Sequence, residues 1–112
     1  WGDSSTTVGD EIYSISSAAP VVTYSDVQGG CAVATGCTTD DTGDIVDAPG
    51  FTSDYHLPFS SPCVDTGAGA LLPADTLDLD ADGDTTEKIP YDLDGNDRVF
   101  GSGVDMGAYE LQ

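Results

Sequence analysis

Hydrophobic and polar positions alternate in only a few short runs of this chain. In VVTYSDV (21–27), Val21, Thr23, Ser25 and Val27 share one face of an extended segment and Val22, Tyr24 and Asp26 share the other. That is the period of a half-buried strand built from β-branched and aromatic residues. EIYSI (11–15) and VDMGAYE (104–110) also read as strands, with weaker candidates at 45–47, 55–57 and 97–100. Helical periodicity is missing, because strong helix formers rarely fall in register and Gly and Pro interrupt the runs. From Gly29 to Pro62 the text is mostly turn signals (GG, TG, DD, PG, SSP), and 66–97 is similar. Irregular stretches of this length need a disulfide, an ion or a function to order them.

Charge sharpens that requirement. Twenty-one acidic residues face only Lys88 and Arg98, a formal net charge of -19. Such a chain repels a phosphate backbone or an anionic lipid surface and lacks the basic stripe that counterion release requires, so nucleic acid and membrane are excluded as partners. Self-repulsion also opposes compaction, and bound cations would relieve it. Disorder is the other outcome of such a composition, but the runs EIYSI, PVVTYSDV and MGAYEL argue for a folded domain. No run approaches the ~20 apolar residues of a spanning helix. The chain opens on Trp1 with no signal peptide, cap or turn signal, and reads either as a segment cut from a larger structure or as an ordinary terminus.

The densest acidic text is DLDADGDTTEKIPYDLDGNDR (78–98). Asp78, Asp80, Asp82, Gly83 and Asp84 match the first half of an EF-hand loop, in which alternate carboxylates wrap the backbone around one hard cation. The second half departs from it: Ile89 stands where the bidentate acid belongs, and Pro90 forbids the exit helix. The expectation is a shortened calcium loop over 78–97, with Asp78, Asp80, Asp82 and Asp84 as ligands and with Glu87, Asp92 or Asp94 closing the shell. With that acid missing, the affinity expected is that of extracellular modules, on the order of 10⁻⁴ to 10⁻³ M. DLDGND offers a second ion site through Asp92, Asp94 and Asn96, although an ordinary Asp-Gly turn explains Gly95 as well. A solvated acidic loop without an ion is the simpler alternative, opposed by the repulsion of alternating carboxylates.

Cys31 and Cys37 flank a short Gly-containing loop and are read as a disulfide, with two thiols or a metal-binding thiol pair as the alternative. Cys63 reads as a small buried apolar residue. Without a CxxC pair or a Cys/His cluster, zinc is not expected, and His56 reads as a strand-edge residue. No GxSxG, HExxH or phosphate-binding glycine loop appears, and Arg98 and Lys88 are the sole candidates for a base in sugar elimination. The carboxylates are too many to single out the pair that glycoside hydrolysis needs. No catalytic activity is expected of this chain.

Several strings resemble the C-terminal end of secreted bacterial right-handed parallel β-helix proteins of the pectin-lyase-like superfamily, of the choice-of-anchor Q type. They are Trp1-Gly2-Asp3, Thr23 to Gly30, Asp47 to Phe51, Asp54-Tyr55-His56-Leu57, Ser61 to Gly67, Asp92 to Val99 and Val104 to Glu110, in the family's order along nearly the whole chain. Asp97 stands where the family usually has proline. The resemblance implies an all-β, loop-rich fold: the terminal coils of a β-helix in 1–30 and a C-terminal cap in 31–112, with further coils upstream. It implies a secreted or cell-surface location and a structural role. It also implies partners in the missing coils or in a second copy stacked end to end into an oligomer or filament. The other function it suggests is the non-catalytic tail of a polysaccharide-binding or polysaccharide-degrading enzyme.

Overall fold

The structure, a computed structural model, describes residues 12, 21–29 and 43–112, with 38 and 39 as backbone only. The chain divides into two compact units, Trp1–Pro49 and Gly50–Gln112.

In the first unit the described regular structure is one parallel pair, β1 (Val21–Val22) against β2 (Thr38–Thr39), in the register Val21 to Thr38 and Val22 to Thr39. The strand expected over 21–27 stops after two residues because Tyr24 takes a left-handed φ of 47°, which turns the chain out of the extended region. The backbone then continues as a single parallel bridge between Asp26 and Ile45. There the Val27 amide donates to the Ile45 carbonyl (3.0 Å) and the Ile45 amide to the Ser25 carbonyl (2.9 Å). An Asp44 carboxylate oxygen accepts the Ser25 amide (3.1 Å), filling a ladder position with a side chain. Gly43 faces the Tyr24 ring so closely that an added Cβ would lie 2.5 Å from its Cδ1, at a φ of 67° that also favours glycine. The candidate strand 11–15 lies outside the described residues apart from Ile12, and the Cys31–Cys37 loop and Trp1 lie outside them altogether.

The second unit has one turn of 3-10 helix, Gly69–Leu71, and isolated antiparallel bridges: Gly67 with Val104, Ala74 with Lys88, Tyr91 with Asp97, and Phe100 with Gly103. Its buried hydrophobic side chains are Leu57, Cys63 and Val104, the thiol of Cys63 being wholly enclosed. Phe59, Leu77, Tyr55 and Leu93 stay largely exposed. A core this small cannot order the unit by apolar burial alone.

Carboxylates take up part of the task. Asp92 accepts the amides of Asp94 (2.9 Å), Asn96 (2.8 Å) and Glu110 (2.9 Å). Asp105 accepts those of Asp65 (2.8 Å) and Leu111 (2.8 Å), and Asp65 accepts those of Ser102 (3.0 Å) and Gly103 (2.9 Å). A charged acceptor makes a shorter and stronger bond to a backbone amide than a carbonyl does, so these aspartates join segments far apart in sequence where a sheet ladder would otherwise run.

The expected all-β architecture of terminal β-helix coils with a cap is therefore corrected: among the described residues, regular strand amounts to one two-residue pair, and no stacked coil is found. Tyr55, with φ 67°, breaks the candidate at 55–57. The segment 104–110 contributes one bridge at Val104, after which the Asp105 amide turns to Glu110, the Met106 amide to the Cys63 carbonyl and the Glu110 amide to Asp92. The candidates at 45–47 and 97–100 likewise reduce to single bridges at Ile45, Asp97 and Phe100. No helix among the described residues is long and apolar enough to cross a membrane.

Candidate metal centre

The acidic loop is closed at its neck. Ala74 and Lys88 pair as an antiparallel bridge, the Asp75 amide donates to the Glu87 carbonyl (2.8 Å), and the Ile89 amide donates to the Pro73 carbonyl (3.1 Å). The neck brings Asp75 and Glu87, twelve positions apart, to the base of one loop.

Inside the loop the chain folds on its own carboxylates. The Asp75 Oδ2 accepts the Leu79 amide (2.6 Å), Asp78 Oδ1 that of Gly83 (3.1 Å), Asp80 Oδ1 that of Asp82 (3.3 Å) and Asp82 Oδ1 that of Asp84 (2.7 Å). These are turns in which a short carboxylate side chain takes the place of a backbone carbonyl. Their tightness puts Asp78 (φ 54°), Ala81 (φ 60°) and Gly83 (φ 90°) in the left-handed region. Each aspartate so engaged keeps its second oxygen for another partner.

Carboxylates of the loop gather into two trios. Carboxylate oxygens of Asp78, Asp80 and Asp82 lie within 4.8 Å of one another, and so do those of Asp75, Asp80 and Glu87. Twice a calcium–oxygen distance of ~2.4 Å is about that separation, so each trio fits around one ion. Among the described residues these groups can hold a metal ion.

The electrostatics favour a cation. Lys88 is directed away, donating to the carbonyls of Ala70 (3.0 Å) and Leu72 (2.6 Å), and Arg98 is committed to Glu110. Desolvation, followed by the charges of Asp80, Asp82, Asp84 and Asp75, holds the Glu87 carboxyl above its usual value. Asp84 is held below its usual value, chiefly by the Thr86 hydroxyl (2.7 Å).

The structure thus brings together Asp78, Asp80 and Asp82 of the expected ligands, with Gly83 at the sharp turn. Asp84 lies further along the loop and accepts the Thr86 amide (2.8 Å) and hydroxyl. Asp92 and Asp94 belong to neither trio. Asp92 holds the 92–96 turn, where Gly95 takes a φ of 81°, and Asp94 Oδ2 meets His56 Nε2 at 2.9 Å. His56 also lies 3.3 Å from Asp54 through Nδ1 and stacks on Tyr109 at 4.0 Å between ring centroids. Its imidazole is held above its usual value, first by the Asp94 hydrogen bond. The member of these trios that sequence reasoning missed is Asp75. It stands apart from the alternating run, and only the pairing of 73–75 with 87–89 carries it there.

The chain matches no family model, no curated protein and no solved structure. The chemistry of the loop therefore carries the functional argument.

Proposed function

We propose that the Gly50–Gln112 unit is a structural module of an extracellular protein, and that it completes its fold by binding calcium in the 75–87 loop. The observation that carries this reading is the convergence of Asp78, Asp80 and Asp82 on one point with no basic side chain assigned to them. An all-carboxylate donor set favours a hard cation over zinc or copper, which prefer imidazole and thiolate. Calcium is favoured over magnesium because a loop of flexible turns tolerates loose coordination, whereas magnesium demands a near-ideal octahedron.

The role is structural in this reading because the cation supplies what the small core lacks: a crosslink between turns and local relief of the repulsion in a chain of net charge -19. An exposed loop of this kind binds in the range of extracellular modules, about 10⁻⁴ to 10⁻³ M, which suits an environment rich in calcium.

Thermal unfolding of the whole chain, with calcium in excess and again with EGTA, tests the proposal. At a hundredfold excess over Kd, linkage contributes about 2.7 kcal/mol, so the calcium-loaded transition is expected on the order of 10 °C higher. Superimposable transitions in the two conditions would overturn it.

A further inference from the structure

Buried carboxylates in the second unit follow a pattern with one departure. Both oxygens of Asp92, Asp105 and Glu110 accept a hydrogen bond: from backbone amides in every case, and from Arg98 as well at Glu110. Asp75 is more deeply enclosed than any of them, at 1% exposure, yet only its Oδ2 has a partner, the Leu79 amide. Its Oδ1 is buried without a hydrogen bond, and so is Oε1 of Glu87. Native folds rarely leave buried polar atoms unpaired, and a carboxylate oxygen is among the costliest to leave so. These two residues, with Asp80, form the inner trio at the neck of the loop.

We propose that the loop holds a second, inner calcium ion between Asp75, Asp80 and Glu87, with the Asp80 carboxylate bridging it to the outer ion at Asp78 and Asp82. The inference rests on the calcium reading of the outer trio and adds a site to it. Five carboxylates divide into two trios that share one residue, and a carboxylate has two oxygens to give, one to each ion. The inner ion supplies the missing partner to Asp75 Oδ1 and Glu87 Oε1. It also ties the two strands of the neck together through side chains, where the backbone already ties them through the Asp75 amide and the Glu87 carbonyl. The inner trio includes the buried Asp75 and the outer one the exposed Asp82, so the inner ion is expected to exchange more slowly.

Native mass spectrometry and calorimetric titration of the whole chain with calcium chloride count the ions. The native protein is expected to bind two. Asp75→Asn keeps an oxygen for the Leu79 amide and is expected to bind one, as is Glu87→Gln, whose side chain makes no hydrogen bond within the loop that folding needs. Asp82→Asn is expected to lose the other ion and keep the inner one. A single ion in the native protein, lost in D82N and retained in E87Q, overturns the inner site and leaves the calcium module standing. Absence of any calcium binding overturns both.

Discussion

Arg98 shows how few basic side chains this chain needs when each is well placed. Its guanidinium donates to Glu110 Oε1 and to the Gly107 carbonyl (3.1 Å), and the two side chains are 13% and 1% exposed. Glu110 in turn accepts the Asp105 amide through both oxygens (3.1 and 3.2 Å). Removing the guanidinium strands a buried carboxylate, so Arg98→Met is expected to destabilise the second unit by about 3 to 5 kcal/mol in urea titrations with calcium present. A loss below about 1 kcal/mol would show the pair to behave as a surface contact. The sequence marks Arg98 as one of two cations but leaves its partner open among 21 acids. Only the approach of 98 to 107–110 brings about this ion pair.

At the scale of the element, the 75–87 loop is a set of turns closed by a neck, and its stability is tied to pH through Glu87. A carboxyl held above its usual 4.5 stabilises the folded state fully below that value, and the contribution is lost as pH rises through the folded value. Asp84, held below its usual 3.8, acts oppositely: it contributes above that value, and the contribution is lost as pH falls through its folded value. In EGTA, stability is therefore expected to decline as pH rises above 4.5 by an amount that Glu87→Gln removes. Calcium bound at Glu87 as proposed is expected to abolish the decline. Equal pH profiles for the native chain and E87Q in chelator would show that Glu87 feels no crowding. The alternation of Asp78, Asp80 and Asp82 before Gly83 made the outer trio legible, since period-two acids followed by a glycine turn are brought together by local backbone geometry. Asp75 was not legible, because its place comes from a backbone pairing with Glu87, twelve positions away.

For the whole molecule, carboxylates serve both as the source of repulsion and as part of what holds the chain together. Where the buried apolar residues are Leu57, Cys63 and Val104, the aspartates at 65, 92 and 105 act as acceptors for backbone amides. A charge of -19 still works against compaction, and it is screened by salt over a Debye length of about 10 Å at 0.1 M. In EGTA, raising NaCl to about 0.5 M is expected to increase the melting temperature, with a smaller increase in calcium, where the densest repulsion is already neutralised. An equal salt response in both conditions would argue that the loop adds little to the net repulsion. The resemblance to β-helix ends suggested that strand ladders would organise the chain. Left-handed residues at Tyr24 and Tyr55, and amides captured by aspartate side chains, are the physical reasons why ladders are short here.

Composition and local pattern determined that this chain is acidic, rich in turns, poor in helix and marked by alternating carboxylates at 78–84, because charge, turn chemistry and period-two alternation act over a few residues. The tertiary structure alone decided which carboxylates bind backbone, which meet Arg98 or His56, and which are left with an oxygen to spare at Asp75 and Glu87. Those outcomes depend on distances between residues far apart in the chain, and an aspartate looks the same in sequence whichever partner the fold brings to it.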